Sequence, residues 1–171
     1  MKLRSRLFLL VMMSSLFAAF GRGESLKVGD DAPVVSGVTD SGATLNFGDV
    51  YKDNTYTVVF FYPKALTGGC TKQGCSLRDV NTELAKKGVA IIGVSTDSVE
   101  KQKEFKDTNN FPFPLIADTD KKVVKAFGQA VLMMASRECY VIKQGKIVYK
   151  DTGATEKQGE NVLAFIRSQK A

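Results

Sequence analysis

Two uninterrupted apolar segments constrain the fold of this chain most strongly, one at residues 57–62 and the other at residues 89–95. Both are rich in β-branched, aromatic and aliphatic side chains, without the polar alternation of a strand that faces water on one side. They are therefore predicted to be strands buried on both faces of a sheet. The segment 70–87 between them predicts a helix, because its leucines and valine recur at helical spacing and Gly88 stands where a C-terminal cap belongs.

The rest of the chain predicts shorter elements around this unit. They are an extended arm (27–33), a hairpin turning at Asp40-Ser41-Gly42 (34–46), a loop (63–69), a helix (98–109), a strand (114–117), a short helix (121–127), a hairpin about Gln144-Gly145 (139–149) and a last helix through Ile166, opened by a capping box of Thr155 and Gln158. This order describes an α/β protein, a three-layer α/β/α domain with a mixed sheet. It resembles a thioredoxin-like fold with an extra N-terminal β-hairpin.

Residues 1–23 predict a cleavable secretory signal peptide, which leaves residues 24–171 as one domain. Three basic residues precede the apolar run 7–20, and small residues follow it. As a helix the run would be about 21 Å long, short of the roughly 30 Å that a membrane span needs. We therefore expect export to the periplasm or another extracytosolic compartment, without stable membrane anchoring after cleavage. An uncleaved N-terminal anchor is the alternative.

The chain contains no histidine, which narrows its possible chemistry. Hydrolase mechanisms that need an imidazole base are excluded, as are zinc and copper sites built on histidine. The net charge of +6 comes from dispersed lysines and arginines, so nucleic-acid binding gains no support. A nucleophile in this chain must be activated by a positive charge, a helix terminus or a carboxylate.

Cys70 is the candidate nucleophile, because it follows a tight loop at the start of a predicted helix. Unpaired backbone N–H groups at a helix N-terminus favour the thiolate, which is the reactive form. Cys75 lies on the same helix, where a five-residue spacing puts the two Cα atoms roughly 8.7 Å apart. A disulfide needs about 4.4–6.8 Å, so the two cysteines can bond only if the first turn opens. Gly74 would weaken that turn by roughly 1 kcal/mol, and Gly74→Ala is expected to stabilise it.

The surrounding motif resembles a known family. Pro63-x-x-x-Thr67-x-x-Cys70 matches the active-site pattern of the peroxiredoxins, and residues 60–79 resemble the subgroup called bacterioferritin comigratory protein or peroxiredoxin Q. The likeness continues through residues 93–98, 111–115 and Arg137. It implies a thiol-dependent peroxidase that reduces hydrogen peroxide and organic hydroperoxides without a cofactor or a metal. Gly68 replaces a common proline of the subgroup, and Gln102 replaces a frequent histidine.

The resemblance also implies a role for each site residue. Cys70 would be the peroxidatic cysteine, which attacks the peroxide and becomes a sulfenic acid. Thr67 would hydrogen-bond the thiolate and the peroxide, Arg137 would stabilise the thiolate and polarise the peroxide, and Pro63 would shield the pocket from water. Cys75 would be the resolving cysteine, which forms an intramolecular disulfide with Cys70. A thioredoxin-like partner would then reduce this disulfide.

Other interpretations remain open from the sequence. The pair Cys70 and Cys75 could form a structural disulfide, or the cysteines could bind a metal. The chain could also be a protein thiol–disulfide oxidoreductase, although it lacks C-x-x-C, or a redox-sensing interaction protein of thioredoxin-like fold. Cys139 is an extra cysteine, interpreted as a buried small apolar side chain, with a third thiol near the pocket as the alternative. A monomer is the expected oligomeric state.

Overall fold

The computed structural model describes residues 25–129 and 134–169, so the predicted leader at residues 1–23 lies outside the described part of the chain. In chain order the elements are β1 (Ser36–Val38), β2 (Thr44–Asn46), α1 (Phe47–Asp53), β3 (Tyr56–Phe61), α2 (Gly68–Lys86), β4 (Val89–Ser95), α3 (Val99–Asn109), β5 (Leu115–Ala117), α4 (Lys122–Ala126), β6 (Glu138–Lys143), β7 (Lys146–Thr152) and α5 (Gln158–Ser168). None of the described helices is long and apolar enough to cross a lipid bilayer.

Five strands form a mixed sheet in the order β5-β4-β3-β6-β7. The pairs β3–β4 and β4–β5 are parallel, whereas β3–β6 and β6–β7 are antiparallel. The pair β1–β2 forms a separate antiparallel hairpin, with Ser36 opposite Asn46. The mixed sheet and the extra N-terminal hairpin confirm the predicted architecture.

Helices cover both faces of the sheet, because successive side chains of β3 point to opposite sides. Val58 and Phe60 pack in one apolar cluster with side chains of α2, α3 and α5. Val59 and Phe61 pack in a second cluster with side chains of α1 and α4. Every residue of β3 is buried, as predicted for a strand inside a three-layer α/β/α domain.

The structure corrects three details at the ends of the domain. Helix α1 was not predicted; it begins because the Asn46 side chain accepts hydrogen bonds from the backbone N–H groups of Gly48 (2.8 Å) and Asp49 (3.3 Å).

The predicted capping box is wrong, since α5 starts after Lys157 without a side-chain cap and the Gln158 side chain is buried. The arm at 27–33 is not fully extended, because Asp30 N–H donates to the Lys27 carbonyl in a turn.

Candidate active site

Cys70 is the third residue of α2, which begins two residues earlier than predicted. Strand β3 brings the chain to this helix through a short turn, and Thr67, with φ −89° and ψ 151°, is the N-cap. The Thr67 side chain makes no capping hydrogen bond, so it does not neutralise the N–H groups of the first turn. These groups place partial positive charge near Cys70, a free thiol that is only 1% exposed.

Arg137 brings a full positive charge to the same sulfur. It lies directly before β6, and its Nη2 donates to Cys70 Sγ at 3.6 Å. Gly69 allows this approach, because a Cβ atom at that position would lie 3.2 Å from Arg137 Nη2. The structure therefore brings together Cys70 and Arg137, which are 67 positions apart in the sequence.

Gln73 orients the guanidinium, a role that the sequence analysis missed. Its Oε1 accepts a hydrogen bond from Arg137 Nη1. Its Nε2 donates to Gln158 Oε1 at 2.6 Å and to the Phe61 carbonyl at 3.2 Å. Because Gln73 is completely buried, the amide has a fixed position between the sheet, α5 and Arg137. The sequence did contain one indication of this role: Gln73 is a polar residue three positions after Cys70, which places it on the same side of α2.

The turn from β3 to α2 carries the other two predicted site residues. Pro63 is half-buried at its start, and Thr67 is exposed at its end. The Thr67 hydroxyl donates to the Lys64 carbonyl at 2.9 Å, so in this structure it bonds to its own turn and not to Cys70. Between them Leu66 has φ +63°, a left-handed conformation that non-glycine residues rarely adopt.

Cys75 lies on α2 and is also a free thiol. It is half-buried, with Sγ 3.8 Å from Asn109 Oδ1 at the end of α3. The helix is continuous from Gly68 to Lys86. A five-residue step turns the helix by about 140°, so Cys70 and Cys75 point to different sides. This is the arrangement predicted from the sequence for the protein with both thiols free. Disulfide formation therefore requires the first turns of α2 to unwind.

The structure argues against the expected stabilising effect of Gly74→Ala, because Gly74 packs directly against the ring of Phe111. A Cβ atom at this position would lie 2.5 Å from Phe111 Cζ and 3.0 Å from Cε1. Phe111 is 3% exposed and stacks on Phe113, so its ring has little room to move. The glycine is required for this contact between α2 and the segment after α3, and an alanine would crowd it.

Cys139 agrees with its interpretation as a buried small apolar side chain. It is opposite Phe60 in the β3–β6 pair and is completely buried in the same apolar cluster as Cys70. Burial raises the pKa of the Cys139 thiol far above its usual range, which keeps it protonated. A protonated, inaccessible thiol is a poor nucleophile. Within residues 25–129 and 134–169, no three cysteine, aspartate or glutamate side chains are grouped to hold a metal ion.

Known proteins are similar to this chain in both sequence and fold. Residues 28–150 match the model of the AhpC/TSA family. A putative peroxiredoxin bcp from Coxiella burnetii is 40% identical over 107 residues, which cover 63% of this chain and 70% of the relative. Peroxiredoxin Bcp from Bacillus subtilis is 41% identical over 103 residues, which cover 60% of this chain and 64% of the relative.

Two solved structures extend the comparison to the fold. Peroxidoxin BcpB from Mycobacterium tuberculosis superposes with a TM-score of 0.80 and 29% identity, over 85% of this chain and 99% of that chain. The bacterioferritin comigratory protein of Xanthomonas campestris, whose structure was described for its alkyl peroxide reduction activity, has a TM-score of 0.74 and 25% identity over 83% of this chain and 98% of that chain.

Proposed function

The chain is a peroxiredoxin of the AhpC/TSA family, and from this membership we propose that it reduces hydrogen peroxide and organic hydroperoxides with Cys70 as the nucleophile. The observation that carries the proposal is the position of the Cys70 sulfur at the N-terminus of α2, 3.6 Å from Arg137 Nη2. Both the helix terminus and the guanidinium place positive charge beside the sulfur, in a site without histidine.

In the first step the Cys70 thiolate attacks one peroxide oxygen. The S–O bond forms as the O–O bond breaks, and the leaving oxygen takes a proton and departs as water or an alcohol. Cys70 is thereby oxidised by two electrons to a sulfenic acid. Arg137 is placed to stabilise the charge that develops on the leaving oxygen. Thr67 would contribute by turning its hydroxyl from the Lys64 carbonyl toward the reacting atoms, and Pro63 would limit the access of water.

In the second step the Cys75 thiolate attacks the Cys70 sulfur. The S–S bond forms, the S–O bond breaks, and the oxygen leaves as water after protonation. Because the two cysteines lie on different sides of α2, this step requires the local unwinding described above. A thioredoxin-like dithiol then supplies two electrons and two protons, which restore both thiols and leave the partner as a disulfide.

Replacing the nucleophile tests the proposal. The protein without residues 1–23 should consume peroxide in a stopped-flow assay with a dithiol reductant, and Cys70→Ser should abolish turnover. Cys139→Ser is the matched control, since it removes an equally buried thiol and should leave turnover nearly unchanged. More than a few per cent of the rate in Cys70→Ser would disprove the assignment. Disulfide exchange without peroxide consumption would instead favour a protein thiol–disulfide oxidoreductase.

We also propose that the protein acts outside the cytosol, after cleavage near residue 23. The support is the sequence pattern of the leader, a basic start followed by an apolar run and small residues. Expression of the full chain in a Gram-negative host, followed by fractionation and intact-mass measurement, should yield a periplasmic protein that lacks the leader. A full-length cytosolic product would contradict this proposal.

A further inference from the structure

Asp97 contacts the active-site turn from a neighbouring strand. It lies two residues beyond β4, and its Oδ2 accepts a hydrogen bond of 2.7 Å from the backbone N–H of Ala65. Ala65 is in the middle of the turn between β3 and α2, and it is 5% exposed. The same Oδ2 also accepts a 2.7 Å hydrogen bond from the Ser95 hydroxyl. The carboxylate is therefore fixed by its own strand while it holds the turn.

The hydrogen bonds continue from Ser95 to the start of the turn. Gln102 Nε2 donates to Ser95 Oγ at 2.9 Å and to the Ile116 carbonyl at 2.7 Å. Gln102 Oε1 accepts from the hydroxyl of Tyr62. Tyr62, Ser95 and Gln102 are all completely buried. One buried network thus holds both Tyr62, where the turn leaves β3, and Ala65.

The backbone of the turn needs this restraint. Leu66, directly after Ala65, has φ +63°, a conformation that is unfavourable for a residue with a Cβ atom, and the residue lies at the surface with 36% of its area exposed. A non-glycine residue keeps a left-handed conformation only when its surroundings impose it. The hydrogen bond from Ala65 to Asp97 supplies such a restraint one residue before Leu66. Thr67 follows Leu66, so the conformation at Leu66 sets where Thr67 lies relative to Cys70.

We propose that Asp97 is a positioning residue for peroxide reduction, acting by holding Ala65 so that the turn 63–67 keeps its shape beside Cys70. The proposal rests on the function proposed above. Asp97 itself touches neither the Cys70 sulfur nor Arg137 in the contacts of the described residues; its effect passes through the backbone. The rate of peroxide reduction should depend on the shape of the turn 63–67. The rate at which a simple alkylating reagent reacts with Cys70 should depend on it less, because that reaction does not use the groups of the turn.

Three variants separate geometry from charge. Asp97→Asn keeps an oxygen that can accept both hydrogen bonds, although the charge is lost. Asp97→Glu keeps the charge but displaces the oxygen by one methylene group. Asp97→Ala removes the acceptor. Asp107→Asn is the matched control, because this carboxylate is exposed and pairs only with Lys103 on α3 in the described contacts.

Each variant is made in a Cys75→Ser background, and two second-order rates of Cys70 are compared, with hydrogen peroxide and with iodoacetamide. We expect Asp97→Ala and Asp97→Glu to lower the peroxide rate at least tenfold and the alkylation rate less than twofold. Asp97→Asn should keep more than a third of the peroxide rate, and Asp107→Asn should match the parent.

Two results would overturn the positioning role. One is an equal loss of rate in the reactions with peroxide and with iodoacetamide. The other is a peroxide rate that follows the charge, so that Asp97→Glu reacts normally and Asp97→Asn reacts slowly. If Asp97→Ala does not fold, the contrast between the Asn and Glu variants decides the question. If the parent does not react with peroxide at all, the proposed function fails; a reactive parent whose Asp97 variants keep its rate overturns only this inference.

Discussion

Among single residues, Arg137 links the electrostatics of the site to its architecture. Its two terminal nitrogens are used differently, with Nη2 facing the Cys70 sulfur and Nη1 bound to the buried amide of Gln73. A guanidinium offers this planar pair of donors, whereas a lysine ammonium offers one centre. The charge beside the sulfur is therefore fixed in direction before any peroxide binds, which is the condition for efficient stabilisation of a transition state.

We predict that Arg137→Met slows the reaction of Cys70 with peroxide by about one to three orders of magnitude, the scale for loss of one preorganised donor. Arg137→Lys should recover only part of the rate, because it cannot contact Gln73 and Cys70 in the same way. Stopped-flow measurement of the oxidation step at constant pH checks both values. A rate for Arg137→Met within twofold of wild type would show that the helix N-terminus alone activates Cys70.

At the scale of elements, helix α2 is long and regular, but its glycines are concentrated in the first turns, which must unwind for the disulfide to form. Near Cys70 and Cys75 it contains three glycines, at positions 68, 69 and 74. They differ in what surrounds them, since a Cβ atom at Gly68 would meet nothing within 4 Å, whereas one at Gly74 would meet the Phe111 ring at 2.5 Å. Of these three glycines, only Gly68 could be replaced by alanine without a close contact, so only there is the higher helix propensity of alanine expected to stabilise α2.

We predict that Gly74→Ala lowers the free energy of unfolding of the reduced protein, despite the better helix propensity of alanine. Crowding a packed core costs about 1–3 kcal/mol, against a gain of about 1 kcal/mol from propensity. Urea unfolding monitored by circular dichroism measures the difference. Gly68→Ala is the matched control on the same helix and should not lower stability. A more stable Gly74→Ala would mean that the Phe111 ring moves aside at little cost.

The elements also differ in how well the sequence predicts them. Strand β4 has the predicted bounds, 89–95, because a strand buried on both faces is apolar throughout and ends at polar or turn residues. Helix α1 was missed because it is short and follows β2 without a break, although Asn46 is a good N-cap residue. The contact of Gly74 with Phe111 joins residues far apart in the sequence, so no local pattern contains it.

At the scale of the whole molecule, the candidate site depends on contacts that only the folded chain creates. Residue type and position in the chain selected Cys70 and Cys75 as candidates, and the resemblance to the peroxiredoxins added Arg137. They could not identify Gln73, whose role depends on Gln158 at the start of α5, 85 positions away. The capping box was predicted wrongly for the same reason, since the Gln158 side chain makes a tertiary hydrogen bond instead of closing its own helix.

The start of α5 is also attached to the part of α2 that must unwind for the disulfide to form. Ser76 connects the two helices: its hydroxyl donates toward the carbonyls of Gln73 (2.8 Å) and Thr155 (3.2 Å) and accepts from the Gly159 N–H (3.1 Å). The helices touch closely here, because a Cβ atom at Gly159 would lie 2.0 Å from the Ser76 carbonyl oxygen. Unwinding α2 as far as Cys75 therefore disturbs the hydrogen bonds that hold α5.

We predict that Ser76→Ala speeds disulfide formation after Cys70 has been oxidised. The variant loses the hydrogen bonds of Ser76 with Thr155 and Gly159, which the wild type must break, each worth about 1 kcal/mol net. Resolution should therefore accelerate by about fivefold if one of them breaks before the transition state, and up to about thirtyfold if both do. Faster resolution leaves less sulfenic acid for a second peroxide, and Ser76→Ala should need more peroxide to form sulfinic acid. Rapid quenching with mass spectrometry measures both species, and Ser168→Ala, at the exposed far end of α5, is the matched control. An unchanged rate of disulfide formation in Ser76→Ala would show that α2 opens without releasing α5, and that the contact between the two helices serves stability alone.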